Sequence, residues 1–348
     1  MSSMRVLQAM AGAEFGGAEA FFTRLVIGLA KSNLDQRVLI RPNSGREQAL
    51  KKAGIDPVLL KFGGRFDLFT PLAIRNQLRD YRPNIVLTWM NRATAKMPKK
   101  KLADVDYVHV ARLGGYYDLK YYRHCDHLIG NTHDIVDYLI KEGWPKDRAH
   151  YLPNFVAADV TPPILRKELH VPDSAKLIMA FGRLHENKGF DVLIRALALI
   201  PDAYLCIAGE GPEREALENI ALKEGVRPRT RFLGWREDTA ALLGASDVFV
   251  CPSRHEPLGN VVIESWAQSC PVVAASSQGP TQLINDGENG LLVPVDDHDA
   301  MAVAIKRVLT EGDLRNKISA NGRASYEADF TEHSVIKQYL DFFQMVGS

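Results

Sequence analysis

Residues 251–273 read CPSRHEPLGNVVIESWAQSCPVV, and the reading of the whole chain turns on them. An apolar run, Val248, Phe249 and Val250, leads in, and another, 271–275, closes the stretch. The pattern is buried strand, loop, helix, buried strand. Glu256 falls in the loop beside Pro257, and Glu264 falls eight residues later, on the helix. Between them, Gly259 leaves room for a ligand to touch backbone. The first amides of a helix lack internal partners and carry partial positive charge, so Leu258, Gly259, Asn260 and Val261 suit an anion. Two glutamates at such a spacing are ordinarily solvated charges. Glu264, however, stands among Val261, Val262, Ile263 and Trp266, a poor setting for an idle charge.

Outward from this stretch the chain alternates strand and helix patterns. Residues 4–10 form a first buried strand, AGAEFGG at 11–17 a loop, and Phe21, Phe22, Leu25, Val26 and Leu29 a helical stripe. Strand, glycine loop and helix open an α/β nucleotide-type fold, in which a turn such as Gly16–Gly17 either lets phosphates approach amides or is simply a tight structural turn. Strands at 37–40, 58–60, 85–88 and 104–110 alternate with helices, which argues for a parallel, doubly wound sheet. Prolines and small residues between 151 and 163 mark a crossing to a second domain. That domain opens with a strand at 177–181 and the loop GRLHENKG, where Arg183 and Lys188 stand five residues apart. Two cations at the mouth of a parallel sheet suit a pyrophosphate. The turn GEGP at 209–212 starts a helix and is mainly structural.

Composition narrows the function. Hydrophobic residues make up 46% of 348, enough for two well-buried cores, and the net charge of +1 gives no global field for nucleic acid. Cys125, Cys206, Cys251 and Cys270 are widely spaced and read as small buried hydrophobes in a reducing compartment. The absence of a signal-peptide run and of an 18-residue apolar run leads to the expectation of a cytoplasmic chain without a membrane span. The basic cluster KMPKKK at 96–101 fits a solvated loop as well as it fits an anionic acceptor or lipid headgroups.

EPLGNVVIE at 256–264 resembles the E-x7-E signature of retaining glycosyltransferases with the GT-B fold, glycosyltransferase family 4. FGGAE at 15–19, LPNFV at 152–156, FGRLHENKG at 181–189 and the 287–297 stretch GENGLLVPVDD extend the resemblance over nearly the whole chain. It implies an α/β architecture of two Rossmann-like domains facing across a cleft. Residues 1–155 would bind the acceptor, 156–327 the nucleotide sugar, and 328–348 would form a helix crossing back to the first domain. The resemblance places Glu256 by the donor sugar, Glu264 on the ribose, and Arg183 and Lys188 on the diphosphate. It sets Gly16 and Gly17 against the diphosphate and sugar, and Gly209 near the nucleotide. Leu233, with Gly234 and Trp235, would flank the base, and Leu258 to Val261 would support sugar and phosphate.

The chain departs from the family at one point. Where the family has a histidine facing the donor sugar, Arg112 stands nearest, with His109 three residues earlier. A guanidinium can hold a hydroxyl or a phosphate but cannot act as a base at neutral pH. Arg112 and His109 therefore join Glu256, Arg183 and Lys188 as candidate catalytic residues. The implied reaction is retaining, metal-independent and cofactor-free transfer of a sugar from a nucleotide-diphosphate sugar to a glycan or glycolipid of the bacterial envelope, such as lipopolysaccharide core. The implied partners are that donor and acceptor and the inner-membrane surface, with no nucleic acid. Two other readings stand beside it. One is a GT-B enzyme of another type, such as a nucleotide-sugar epimerase. The other is a non-catalytic nucleotide-sugar-binding protein, which the missing histidine favours.

Overall fold

The computed structural model describes residues 4–13, 16–64, 66–99, 102, 104–156 and 161–347. Phe15, Lys100, Lys101 and Val160, which belong to stretches singled out above, lie outside the described residues. The chain forms two compact units, Met1–Phe155 with Glu332–Ser348, and Val156–Thr331.

The first unit holds β1 (Arg5–Met10), β2 (Asp35–Ile40), β3 (Val58–Leu59), β4 (Ile85–Trp89), β5 (Val108–Leu113), β6 (His127–Gly130) and β7 (Ala149–Tyr151). They make one sheet in the order β3-β2-β1-β4-β5-β6-β7, with every pairing parallel. Helices cover both faces, which is why its central strands are largely apolar, with Gln8, Thr88, His109 and Arg112 as buried polar members. The helix Glu332–Gly347 belongs to this unit through Val335, Ile336, Tyr339, Phe342 and Phe343, which join the core around Phe21, Phe22 and Trp89. Gly28 admits that helix: a Cβ there would lie 2.7 Å from Ile336 Cδ1.

The second unit holds β8 (Lys176–Phe181), β9 (Ala203–Ala208), β10 (Thr230–Gly234), β11 (Val248–Cys251), β12 (Val272–Ala275) and β13 (Leu291–Val293). Their order is β10-β9-β8-β11-β12-β13, again all parallel. This unit runs to Thr331, four residues past the boundary read from the sequence. The reason is packing: Tyr326 and Phe330 are buried with Trp266, and the Tyr326 hydroxyl donates to the Val156 carbonyl at 3.2 Å. β5 also differs from expectation. It starts at Val108 rather than at 104 and runs on to Leu113, with Arg112 paired to Trp89.

His127 on β6 and His150 on β7 are hydrogen-bonded through Nδ1 and Nε2 at 3.0 Å, and the His150 ring packs edge-on against Phe342 at 4.9 Å. Burial pushes both imidazoles below their ordinary 6.5, His150 to about 4 with a further push from His127. A depressed histidine stabilises the fold fully above the unfolded value, and that contribution is lost as pH falls toward the folded value. The melting temperature followed by circular dichroism is therefore expected to drop between pH 6.5 and 4, and His150→Gln to flatten that drop.

Candidate active site

In open parallel sheets, ligands bind beyond the carboxyl ends of the strands where the strand order reverses. In the second unit that point lies between the neighbours β8 and β11. The loop after β8 carries Arg183 and Lys188, and the loop after β11 carries Glu256, so the two motifs leave the sheet side by side. Lys188 Nζ donates to Glu256 Oε2 at 2.5 Å, and the Gly259 amide faces Glu256 Oε1 at 3.3 Å. Further bonds tie the loops: the His255 amide donates to the Asn187 carbonyl at 3.1 Å, and Arg254 to the Glu186 carbonyl at 2.7 Å. Arg254 also forks onto Asp191, with both contacts at 2.9 Å, and onto Asp296 at 2.6 Å. These carboxylates hold its guanidinium pKa well above the usual value. Arg254 and Asp191 are loop anchors that the motif reading missed, since nothing in their spacing marks them.

The neighbouring strands add to the same end. The Gly209 amide after β9 donates to the Gly234 carbonyl of β10 at 2.8 Å. A Cβ on Gly209, whose φ is +147°, would lie 1.9 Å from the Gly182 carbonyl oxygen. Gly209 is thus required by packing. Leu233 is half-buried, while Trp235 is 74% exposed, an aromatic face beside the strand end. Arg183 is exposed and has no hydrogen bond or ion pair among the described residues. Glu256 is buried, and Leu258, Asn260, Val261 and Glu264 are half-buried. Asn260, Val261 and Glu264 lie on the helix Asn260–Ala267. Gly259 differs from the expected open approach. Its φ is +67°, and a Cβ there would lie 2.7 Å from Leu283 Cδ1 and 3.3 Å from the Gly279 backbone. The space that its missing side chain leaves is filled by protein.

In the first unit, Gly16 precedes the helix Gly17–Lys31. Glu19, buried on that helix, folds back so that its Oε1 accepts from the Ala13 amide at 2.8 Å. A Cβ on Gly16 would meet Glu19 Oε2 at 2.2 Å, whereas Gly17 has open space. Beside them, Gly16, Thr23, Arg24, Asn43 and Arg46 line a cavity of about 360 Å³. Glu19 was legible in principle, since it falls on the same helix face as Phe22 and Val26.

Arg112 and His109 are both buried and hydrogen-bonded within the first unit. Because β5 extends through Leu113, Arg112 sits inside a central strand and is 1% exposed. Its Nε donates to the Tyr339 hydroxyl at 2.8 Å and a terminal nitrogen to Asn154 Oδ1 at 2.5 Å. Its guanidinium also lies over the rings of Phe21 and Trp89, each at 4.7 Å. Its guanidinium is thus engaged by side chains of the first unit. His109 is buried too, 3.0 Å from the Thr88 hydroxyl. Its Nε2 lies 3.9 Å from Cys125 Sγ, and with His124 the three ligand atoms fall within 4.8 Å of one another. Tetrahedral zinc needs neighbouring N and S ligands only about 3.5 Å apart, so as it stands the group is a polar knot in the core.

Two doubly wound parallel sheets, the second with cations and carboxylates at the reversal point and an exposed aromatic at the same end of its edge strand, make this an α/β protein of the GT-B class. Residues 163–325 match the family of glycosyl transferases group 1, and residues 15–160 match Glycosyltransferase Family 4. Over 337 residues the chain is 36% identical to the lipopolysaccharide core biosynthesis glycosyltransferase LpsE of Rhizobium meliloti (strain 1021), covering 93% of this chain and 95% of that one. It is 34% identical to LpsD of the same organism over 342 residues, covering 98% of each. Among solved structures, a glycosyltransferase from Rickettsia africae ESF-5 matches with TM-score 0.86 at 18% identity, covering 99% of both chains. Anabaena Alr3699/HepE in complex with UDP matches with TM-score 0.84 at 19% identity, covering 98% of this chain and 100% of that one. The chain belongs to this family: it is a glycosyltransferase, its first half of family 4 type and its second of group 1 type.

The Lys188–Glu256 pair gives a test of how the loops hold together. Removing one partner leaves the other charge in a largely buried place. Lys188→Met and Glu256→Gln are each expected to destabilise the second unit. In urea unfolding the double variant should recover about 1 kcal/mol or more relative to the sum of the singles, and strict additivity would count against the pair.

Proposed function

We propose that this glycosyltransferase moves a sugar from a nucleotide-diphosphate sugar, with retention and without a metal ion, to a glycolipid acceptor of the lipopolysaccharide-core type. One observation carries the reading. Trp235, Gly209, Arg183 with Lys188, and Glu256 with Glu264 come from four separate stretches, yet the order β10-β9-β8-β11 gathers them at one end of one sheet. The relatives LpsE and LpsD bear the name of lipopolysaccharide core biosynthesis, which supports the acceptor class. The complex of the fold neighbour HepE with UDP supports the donor class.

In this reading Trp235 stacks on the base and Glu264 accepts from the ribose hydroxyls. Negative charge grows on the diphosphate as the glycosidic bond breaks. Arg183, placed without a competing partner, and the first amides of the helix Asn260–Ala267 stabilise that charge. Lys188 is held by Glu256 until an anion competes for it. Glu256, gripped by Lys188 and facing the Gly259 amide, is a poor nucleophile, which supports attack on the face the leaving group departs from. The acceptor proton then goes to the departing diphosphate oxygen. The one adjacent acidic pair near the last strand is already engaged: Asp297 caps the helix His298–Thr310 and Asp296 binds Arg254. That supports the use of cations rather than a metal.

The test is thermal shift against UDP-, GDP- and ADP-sugars, with and without EDTA, on wild type and Glu264→Ala. A ligand that binds only the folded state raises stability by mass action, by about 2.7 kcal/mol at a hundred times Kd. A shift with one nucleotide class, unchanged by EDTA and lost in Glu264→Ala, is expected. Absence of any shift at millimolar nucleotide sugar would overturn the donor site.

A further inference from the structure

Large apolar side chains stand out into solvent at one place on the first unit. Phe66 is 92% exposed, Leu68 72%, Phe69 83% and Leu72 54%. Such exposure in a loose loop would mean little, but this loop is tightly built. Asp67 accepts from the Gly63 amide at 2.7 Å and the Thr70 amide at 3.0 Å, and the Phe62 amide donates to the Thr70 hydroxyl at 3.1 Å. Phe62 and Thr70 point inward and are buried. Lys96, from the basic stretch 96–101, reaches over and donates to the Gly64 and Asp67 carbonyls at 2.8 and 3.1 Å. The scaffold is therefore fastened from beneath while its largest apolar groups face out. A soluble surface rarely holds such a cluster without a purpose.

The charge around it is one-sided. Asp80 and Asp104, which flank residues 61–79 and 90–102, are bound to Arg37 and Arg79, and the two stretches themselves contain nine lysines and arginines and a single acid, Asp67, although the whole chain carries only +1. That acid is turned inward to Gly63, Thr70 and Lys96. On the helix Phe69–Tyr81 the stripe passes from Phe69 and Leu72 to the exposed Arg75 and to Arg79, which Asp104 holds at 3.0 Å, while Lys61 is exposed just before the cluster and Lys99 just after Lys96. Apolar tips followed by cations at headgroup depth are the pattern of an interfacial anchor. A second copy of this chain is a poor occupant, because a self-complementary contact would set the two cationic rims against each other.

We propose that Phe66, Leu68, Phe69 and Leu72 form a wedge that enters an anionic phospholipid surface, with Lys61, Lys99 and Arg75 on its headgroups. The assignment is independent of the donor reading, since binding to vesicles is measured without any sugar nucleotide. Full-length protein is sedimented with vesicles of phosphatidylcholine alone and of phosphatidylcholine mixed with phosphatidylglycerol. Binding is expected to the mixed vesicles and to be far weaker without the anionic lipid. Phe66→Ser with Phe69→Ser should lower it at least about tenfold at unchanged melting temperature. Lys61→Ala and Lys99→Ala should each lower it about fivefold. A separate Phe69→Trp variant should show emission moving to the blue on the mixed vesicles, with quenching by brominated acyl chains. Wild type that ignores anionic vesicles, or serine variants that bind as wild type does, would overturn the proposal. So would a wild-type dimer in sedimentation velocity that the serine variants abolish, which would make the patch a contact between copies.

Discussion

The adjacency of β8 and β11 is the constraint on which the second unit's chemistry depends. After β10 the chain crosses back over two strands to pair with β8, and the sheet then grows in the other direction. Loops that leave neighbouring strands at such a reversal diverge to opposite faces and leave a crevice between them. Lys188 and Glu256, 68 residues apart in the chain, meet in that setting. Were β11 at the far edge of the sheet, the same two motifs would be present and no site would exist. The ion pair is the product of topology, and the loop contacts around Arg254 and Asp191 fix it in place.

Glycine has two distinct uses here. Gly189, with φ +63°, and Gly209 permit backbone to lie against backbone: a Cβ would come within 2.2 Å of the Pro252 oxygen in one case and 1.9 Å of the Gly182 oxygen in the other. Gly259 and Gly279 press on each other in the same way, since a Cβ on Gly279 would stand 2.5 Å from the Gly259 nitrogen. These glycines bind loops to loops. Arg183 and Trp235, by contrast, are exposed and not consumed by this packing. Gly17 is of the other kind, with nothing within 4 Å of its missing Cβ.

The doubly wound architecture was legible because strands buried on both faces read as apolar runs and the helices between them carry stripes. The helix Met90–Lys96 was not, since MNRATAK has no stripe to show. The start of β5 was misread because Val105 and Tyr107 are apolar and buried, yet they pack against the core from a loop without joining the ladder. The site was legible as residue types and invisible as contacts. That Arg183 has no partner among the described residues while Lys188 is held by Glu256 follows from strand order and loop packing, which no local pattern encodes. The placement of Arg112 was hidden for a related reason: an arginine after an apolar run looks like a loop residue, and only the register with β4 puts it in the sheet.

That buried arginine has consequences for assembly. Among the described residues no carboxylate is a hydrogen-bond partner of Arg112; a phenol, an amide and two aromatic faces take that place. A cation in such surroundings is tolerable only while all of its partners are present, because its desolvation must be offset by each of them. One partner, Tyr339, is 227 residues away on the helix Glu332–Gly347. The first unit therefore stays incomplete until the whole second unit has been made and the terminal helix has returned. Closing so long a loop adds only slowly to the entropic cost. Leaving Arg112 without its hydroxyl partner would cost about 1–3 kcal/mol for the unsatisfied donor. The return of the terminal helix is thus favoured by its apolar face and given its register by the single hydroxyl it brings to Arg112.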